Sequence, residues 1–317
     1  MVTKSFLTRD DLVKLDKELK LIPLTFDKMF KSVFTYDLEI FKEFLILETN
    51  LDLDIESTSI SLLNSELPKG IIKEYQKTID IYVSLNDNTR IDVELNNASY
   101  NDLLSIRNSL YESKLFSMSL ESGESIKELA NKKIIQLNLN TKDLNITYGE
   151  DILMTYGIKT GNFYLKNRQI ILKYLAYYKK MYYNFDIKLS KSELWLVVIL
   201  SETFTELYDL LGELLSDLKR EKFIRKVIEM SKDTFILHEW EKEKMDELTK
   251  LAYEEDGHKR GLEQGREQGF VDGVKHGKMD AIIEVAKSLL KENISLDVIS
   301  KCTGLSLEKI EKIKEEI

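Results

Sequence analysis

Two acids, Asp80 and Glu94, lie on two short alternating runs within residues 77–96, KTIDIYVSLNDNTRIDVELN. Alternation on both sides of a turn-rich centre predicts a β-hairpin. On the first run Ile79, Ile81 and Val83 take one face and Asp80 and Tyr82 the other; on the second, Ile91, Val93 and Leu95 oppose Asp92, Glu94 and Asn96. Several registers pair apolar with apolar. The one with its turn centred on Asp87 sets Ile81 opposite Val93 and Asp80 opposite Glu94. Two carboxylates would then point the same way, roughly 5 Å apart at Cβ. Such a pair is unfavourable without a cation or a shared proton, so it asks for a metal ion, a basic side chain or a proton, and the metal is the leading expectation.

The flanking elements must position that pair. Ahead of it, Phe26, Met29, Phe30, Val33 and Phe34 recur at helical spacing, as do Ile40, Phe41, Phe44 and Leu45. Asp27 and Lys31 sit four apart on the first of these helices, the pattern of an ordinary surface ion pair. Behind the hairpin a helix is predicted over residues 102–120, with Leu103, Ile106 and Leu110 as its apolar side. Arg107, Tyr111 and Lys114 share another side, either facing a phosphate beside the acids or forming a solvated face with a packed tyrosine. KKIIQLNLN at 132–140 reads as a third strand. Helix, strand, strand, helix, strand make an α/β core.

Residues 1–22 are polar and charged, a frayed lead-in or a short helix. The run YLAYYKKMYYNF, with Tyr164 nearby, is rich enough in Tyr and Lys to stack on single-stranded bases, though such runs more often cover a sheet. Residues 192–240 have helical spacing with charged outer faces. Glycines at 257, 261, 265, 269, 273 and 277 then recur every fourth residue among strong helix formers. Each costs about 1 kcal/mol relative to Ala in a helix, so the stripe serves close contact or the segment is a loose linker. Ser295, Thr303-Gly304-Leu305 and Ser306 punctuate two short terminal helices with helix-turn-helix spacing. The second of them mixes Glu and Lys without Arg, Asn or Gln for base edges, which favours a docking or oligomerisation unit over a sequence reader.

A net charge of −9 argues against a protein that coats nucleic acid uniformly, but not against a nuclease with a local basic patch. One cysteine, Cys302, excludes an internal disulfide framework and a Cys-rich zinc site. Three histidines, at 238, 258 and 276, are too scattered for a His-based site, so any metal would be a hard cation held by oxygens. The longest apolar run, LWLVVIL at 194–200, is far short of the ~20 residues of a membrane span, and the first residues mix Thr, Lys, Arg and Asp without the apolar core of a signal peptide; a cytoplasmic location is expected.

From Thr25 to the C-terminus, these stretches in this order resemble the PD-(D/E)XK nuclease family transposases, the Rpn-type recombination-promoting nucleases. The matching residues are TFDKMFKSVF, TIDIYV with RIDVELN, the helix bearing Arg107 and Tyr111, KKIIQLNLN, and HEWEKEKMDELTKLAYEE followed by the glycine ladder and TGLS. The resemblance implies a restriction-endonuclease-like core, a mixed sheet flanked by helices, with a helical C-terminal extension. It implies a lead-in over 1–24, the core over 25–190, a helical subdomain over 191–250, the ladder over 251–277 and a small helical module over 278–317. It further implies Mg²⁺- or Mn²⁺-dependent hydrolysis of DNA phosphodiesters in recombination or a mobile element. Asp80 and Glu94 would be catalytic and, with the Leu95 carbonyl, would bind the metal. Asn96 stands where nucleases of this kind carry Lys and this family commonly has Gln. Lys77 or Lys114 would then supply the missing charge, with Asp27, Arg107 and Tyr111 as accessory residues. DNA and, through the tail, further copies of the chain are the expected partners, with no membrane. The alternative is a nuclease fold that has lost catalysis and binds DNA or assembles, motivated by Asn96 and the acidic balance.

Overall fold

Strand β2 (Ile81–Leu85) and strand β3 (Thr89–Asn96) fold back on each other and form the middle of the sheet described below. The computed structural model describes residues 6–63, 80–86, 88–97, 102–119, 124–142, 146–185 and 187–317. Lys77, Ile79, Asp87, Gly123 and the 68–76 stretch lie outside the described residues. Ahead of the hairpin come helices α1 (Arg9–Glu18), α2 (Asp27–Phe34) and α3 (Leu38–Glu48) and strand β1 (Ile60–Leu62). After it come α4 (Asp102–Met118), α5 (Ile126–Asn131), β4 (Lys133–Asn140), β5 (Glu150–Leu153), β6 (Arg168–Tyr174) and α6 (Leu175–Asn184). Helices α7 (Lys191–Ile199), α8 (Phe204–Leu214), α9 (Asp217–Lys232), α10 (Thr234–Lys291), α11 (Leu296–Thr303) and α12 (Leu307–Glu315) complete the chain.

Ile81 pairs with Val93, Val83 with Ile91 and Leu85 with Thr89, the register centred on position 87, one of the several that the alternation permits. Asn86 takes the left-handed conformation (φ 48°) that Asn tolerates in a turn, and its side-chain oxygen accepts from Ser59 N at 2.8 Å. The strand order is β1-β2-β3-β4-β6-β5, with β3, β4 and β6 parallel and the outer pairings antiparallel. A parallel β3–β4 pair needs a crossover, which α4 and α5 provide. The result is a mixed α/β unit with helices on both faces of an open sheet.

The two faces differ in chemistry. On one, Ile81, Val83, Ile91, Val93, Ile135, Leu137, Leu139 and Ile171 join a single apolar cluster reaching from Leu12 in α1 to Ile236 in α10. Helices α7 to α9 belong to that same cluster, so the expected boundaries at 24/25 and 190/191 fall within one shared core. The N-terminal residues form a short helix, capped by Thr8 and Asp11 and anchored by the fully buried Leu12. The LWLVVIL run is helix α7, buried on every side over 194–199 behind a Ser190–Glu193 capping box.

On the other face, register pairs Asp92 with Gln136, Glu94 with Asn138 and Asn96 with Asn140, and all six are buried. Helix α4 lies over this face, which corrects the expected orientation of the helix. Ile106 is 63% exposed, whereas Leu104, Asn108, Tyr111, Glu112 and Leu115 are buried. The physical reason is the polar sheet beneath: a helix turns its Asn, Tyr and Glu side inward when the surface it covers offers hydrogen-bonding groups.

Glu48, wholly buried at the end of α3, accepts from Ser192 Oγ at 3.1 Å and lies 3.4 Å from Lys173 Nζ, which also pairs with Glu150. Burial pushes its carboxyl from 4.5 up to about 7 against the pull of Lys173. The folded state therefore holds this proton more tightly than the unfolded chain, so the stability it confers is complete below pH 4.5 and is lost as pH rises through 7. Urea midpoints measured at pH 5 and pH 8 are expected to differ more for the wild type than for Glu48→Gln, by about 3 kcal/mol in the unfolding free energy. Equal pH dependence in the two proteins would contradict this.

A second compact unit begins at Lys242, inside α10. Its own core is Ala286, Ile299, Leu305, Ile310 and Ile313, and Gly304 caps α11 at φ 74°, a conformation that favours glycine. Ser306 caps α12 through its side chain, accepting from Lys309 N, whereas Ser295 occupies its cap position without a side-chain bond. The ladder is helix, not a loose linker, and a Cβ added at any of its six glycines would meet nothing within 4 Å. No helix among the described residues is long and apolar enough to cross a membrane.

Candidate active site

The hairpin register carries Asp80 to the side of Glu94, as the alternation predicts. The Asp80 backbone N–H donates to Glu94 Oε1 at 3.3 Å, and Asp80 Oδ2 accepts from the Leu95 N–H at 3.0 Å. In an extended strand the N–H and C=O of one residue point to the same edge, so the Leu95 carbonyl also faces the Asp80 side. Backbone geometry thus gathers two carboxyls and one carbonyl.

A cation already stands there. Lys31 Nζ lies 3.1 Å from Asp80 Oδ1 and donates to Asp27 Oδ2 at 3.0 Å. The Asp27–Lys31 pair is therefore part of the site, not the isolated surface pair its spacing suggests. Burial lowers the Lys31 ammonium's pKa, but attraction to Asp80 and Asp27 outweighs that and leaves it raised. Asp27 Oδ1 is buried without a hydrogen-bond partner.

The acids are held above their ordinary range. Burial, then repulsion from Asp80, pushes Glu94 up to about 8. Asp80 is raised by burial and by Asp27, and the fully buried Asp92 is raised well above its usual value by burial, Glu94 and Asp80. Three like-charged groups in low dielectric favour whatever positive charge can reach them.

Asn96 is locked. Its Oδ1 accepts from Arg107 Nη2, and its Nδ2 donates to Asn138 Oδ1 at 3.1 Å and Asn140 Oδ1 at 3.3 Å. Arg107 lies over the Tyr111 ring at 5.9 Å and pulls the Glu94 pKa down, and its Nε is buried without a partner. Tyr111, also buried, has its hydroxyl raised by burial and then by Glu94. Arg107 from α4 and Lys31 from α2 are thus the cationic side chains in contact with Asn96 and Asp80. Lys114 is half-buried, with no hydrogen bond or ion pair to the site shown among the described residues, and Lys77 lies outside the described residues.

The expected residues Asp27, Asp80, Glu94, Leu95, Asn96, Arg107 and Tyr111 come together. Lys31, Asp92, Asn138 and Asn140 were not foreseen as members. The signal for the asparagines is in KKIIQLNLN, where polar residues alternate with Leu137 and Leu139 on a strand buried on both faces.

These donors fit a hard divalent cation: all are oxygens, the carboxyls are destabilised by proximity, and Lys31 neutralises only part of their charge. No cluster of three or more His, Cys, Asp or Glu side chains with metal-binding placement occurs among the described residues, so a cation would rest on two carboxylates and a carbonyl. Comparison with family models, curated proteins and solved structures finds no match to the chain.

Proposed function

We propose that this protein is a metal-dependent DNA endonuclease with a restriction-endonuclease-like core, acting in recombination or within a mobile element. The observation that carries the reading is the convergence of Asp80, Glu94 and the Leu95 backbone, next to two side-chain cations. Asp80, Glu94 and the Leu95 carbonyl would hold Mg²⁺ or Mn²⁺. When bound, that ion polarises a phosphodiester and lowers the pKa of an attacking water. Lys31 orients Asp80 and shields it from Asp27. Arg107, fixed by Asn96 and stacked toward Tyr111, offers guanidinium charge to a phosphate, the role that Asn96 cannot fill. Asn138 and Asn140 hold the Asn96 amide in place.

A second reading is supported by Lys31: an ammonium 3.1 Å from Asp80 does part of a metal's electrostatic work, as in a nuclease fold retained for DNA binding or assembly. Supercoiled plasmid separates the two. The nuclease reading expects nicked circles with Mg²⁺ or Mn²⁺ and none in EDTA. Intact plasmid in every condition, with DNA still bound, favours the second reading.

The tail supports self-association. Its glycine stripe is smooth, and a Cβ added there would meet no described residue within 4 Å, a surface on which another helix can approach closely. Deleting residues 251–317 is expected to lower the mass measured by light scattering to that of a smaller assembly. An unchanged oligomeric state rejects a role for the tail in assembly.

A further inference from the structure

Against the end of β3 lies an open groove of about 630 Å³ that the reading above leaves unused. Its nearer wall is the backbone that follows Asn96. Thr141 N–H donates to the Asn96 carbonyl at 3.0 Å, and Thr141 Oγ1 bonds the Asn97 side chain at 2.7 Å. Asn97 in turn donates to the Thr25 carbonyl at 2.6 Å, and Thr25 and Thr141 both line the groove. These bonds join the groove to the end of the strand that carries Glu94 and Leu95.

Three features of the opposite wall suit a nucleotide. Tyr183, 52% exposed, is anchored at its hydroxyl by Glu206 and stands perpendicular to the Tyr182 ring, with centroids 5.0 Å apart at 89°. A ring fixed in this way is a ready platform for stacking a base. Ser201 lines the groove at 2% exposure, yet its Oγ has no hydrogen-bond partner. A buried hydroxyl left unpaired in a protein interior costs free energy and signals a missing partner. Lys179 is taken by Glu202 and the Leu200 carbonyl, which leaves Lys180 as the ammonium for a phosphate.

The charge pattern agrees. From Ile152 to Phe185 the chain has no Asp or Glu but carries six cations, of which Arg168, Lys173 and Lys179 are paired to glutamates elsewhere and Lys159, Lys166 and Lys180 are the others, in a protein whose net charge is −9. Helix α6, which supplies Lys180 and Tyr183, belongs to that stretch.

We infer that the groove binds one unpaired nucleotide of the DNA strand next to the scissile phosphate, its base on Tyr183 and Ser201 and its phosphate on Lys180. The site takes an unstacked base, so the substrates it favours are duplexes with a single-stranded end, flap or gap. This rests on the nuclease reading and adds the form of DNA that the reading leaves open.

The test is equilibrium binding of fluorescein-labelled blunt and overhang duplexes to the full chain in EDTA, where nothing is cut. The wild type is expected to bind the overhang duplex about tenfold more tightly than the blunt one, and Tyr183→Ala to remove most of that difference. Tyr183→Phe keeps the ring and is expected to keep the preference, which separates stacking from folding. Ser201→Ala is expected to weaken overhang binding while leaving the melting temperature unchanged or higher, because it deletes an orphan hydroxyl. Lys180→Glu is expected to weaken both duplexes and to reduce the salt dependence by about one phosphate contact. Equal binding of blunt and overhang DNA, or a preference that survives Tyr183→Ala and Lys180→Glu together, overturns the subsite and leaves the nuclease reading standing. No binding of either duplex overturns both.

Discussion

Glu94→Gln is expected to reduce metal-dependent nicking of plasmid DNA by at least about a thousandfold, while the protein melts in EDTA at or above the wild-type temperature. The loss follows from removing one of two carboxylates that would hold the cation, whose contribution to charge stabilisation is several kcal/mol, and each 1.36 kcal/mol is a factor of ten. The stability result follows from the apo site. Glu94 sits buried beside Asp80 with its carboxyl pushed up to about 8, so at neutral pH folding must return to it a proton that the unfolded chain has lost, a cost that a neutral isostere does not carry. Asp80→Asn is expected to behave alike, with Lys31 then paired only to Asp27. Activity and stability moving in opposite directions is the signature of a site retained for function. A variant that loses both together points to a structural role for the acids.

Phe34→Ala is expected to be the most destabilising single change in the first unit. Phe34 contacts Phe30, Phe44, Phe223, Phe41 and Trp195, with ring centroids between 4.5 and 6.1 Å. These rings belong to α2, α3, α7 and α9, so one side chain joins four helices. Truncating a fully buried Phe costs about 3–5 kcal/mol, and at roughly 2–4 °C per kcal/mol for a unit of this size the melting temperature falls by about 10 °C. Because α2 carries Asp27 and Lys31, nicking is expected to fall before global unfolding is complete. A melting shift within error of the wild type would contradict the account of this core.

Strand alternation made most of the centre of the fold legible. Pairing apolar with apolar leaves a few registers that differ by steps of two, and the one observed, Ile81 opposite Val93, is the one with its turn centred on position 87, which brings Asp80 beside Glu94. Helix α4 was misread on the same logic. Leu103, Ile106 and Leu110 form an apolar side at helical spacing, but the sheet beneath is polar, and only the tertiary pairing of Asp92 with Gln136 and Glu94 with Asn138 reveals that. Lys31 shows the other limit: its spacing from Asp27 is local, whereas its contact with Asp80 spans 49 positions and depends on how α2 docks. The compensating charge for Asn96 was sought at Lys77 and Lys114. The side chain that bonds Asn96 is Arg107, whose place on the inward side of α4 follows from the same polar sheet, while Lys77 lies outside the described residues.

The central claim, that Asp80 and Glu94 together form a divalent-cation site, is tested most directly by calorimetric titration of the full-length protein with Mn²⁺. The account predicts a saturable binding heat in the wild type that disappears in Asp80→Asn and in Glu94→Gln, with both variants folded by circular dichroism. Absence of heat in the wild type, or the same heat in all three proteins, would contradict it.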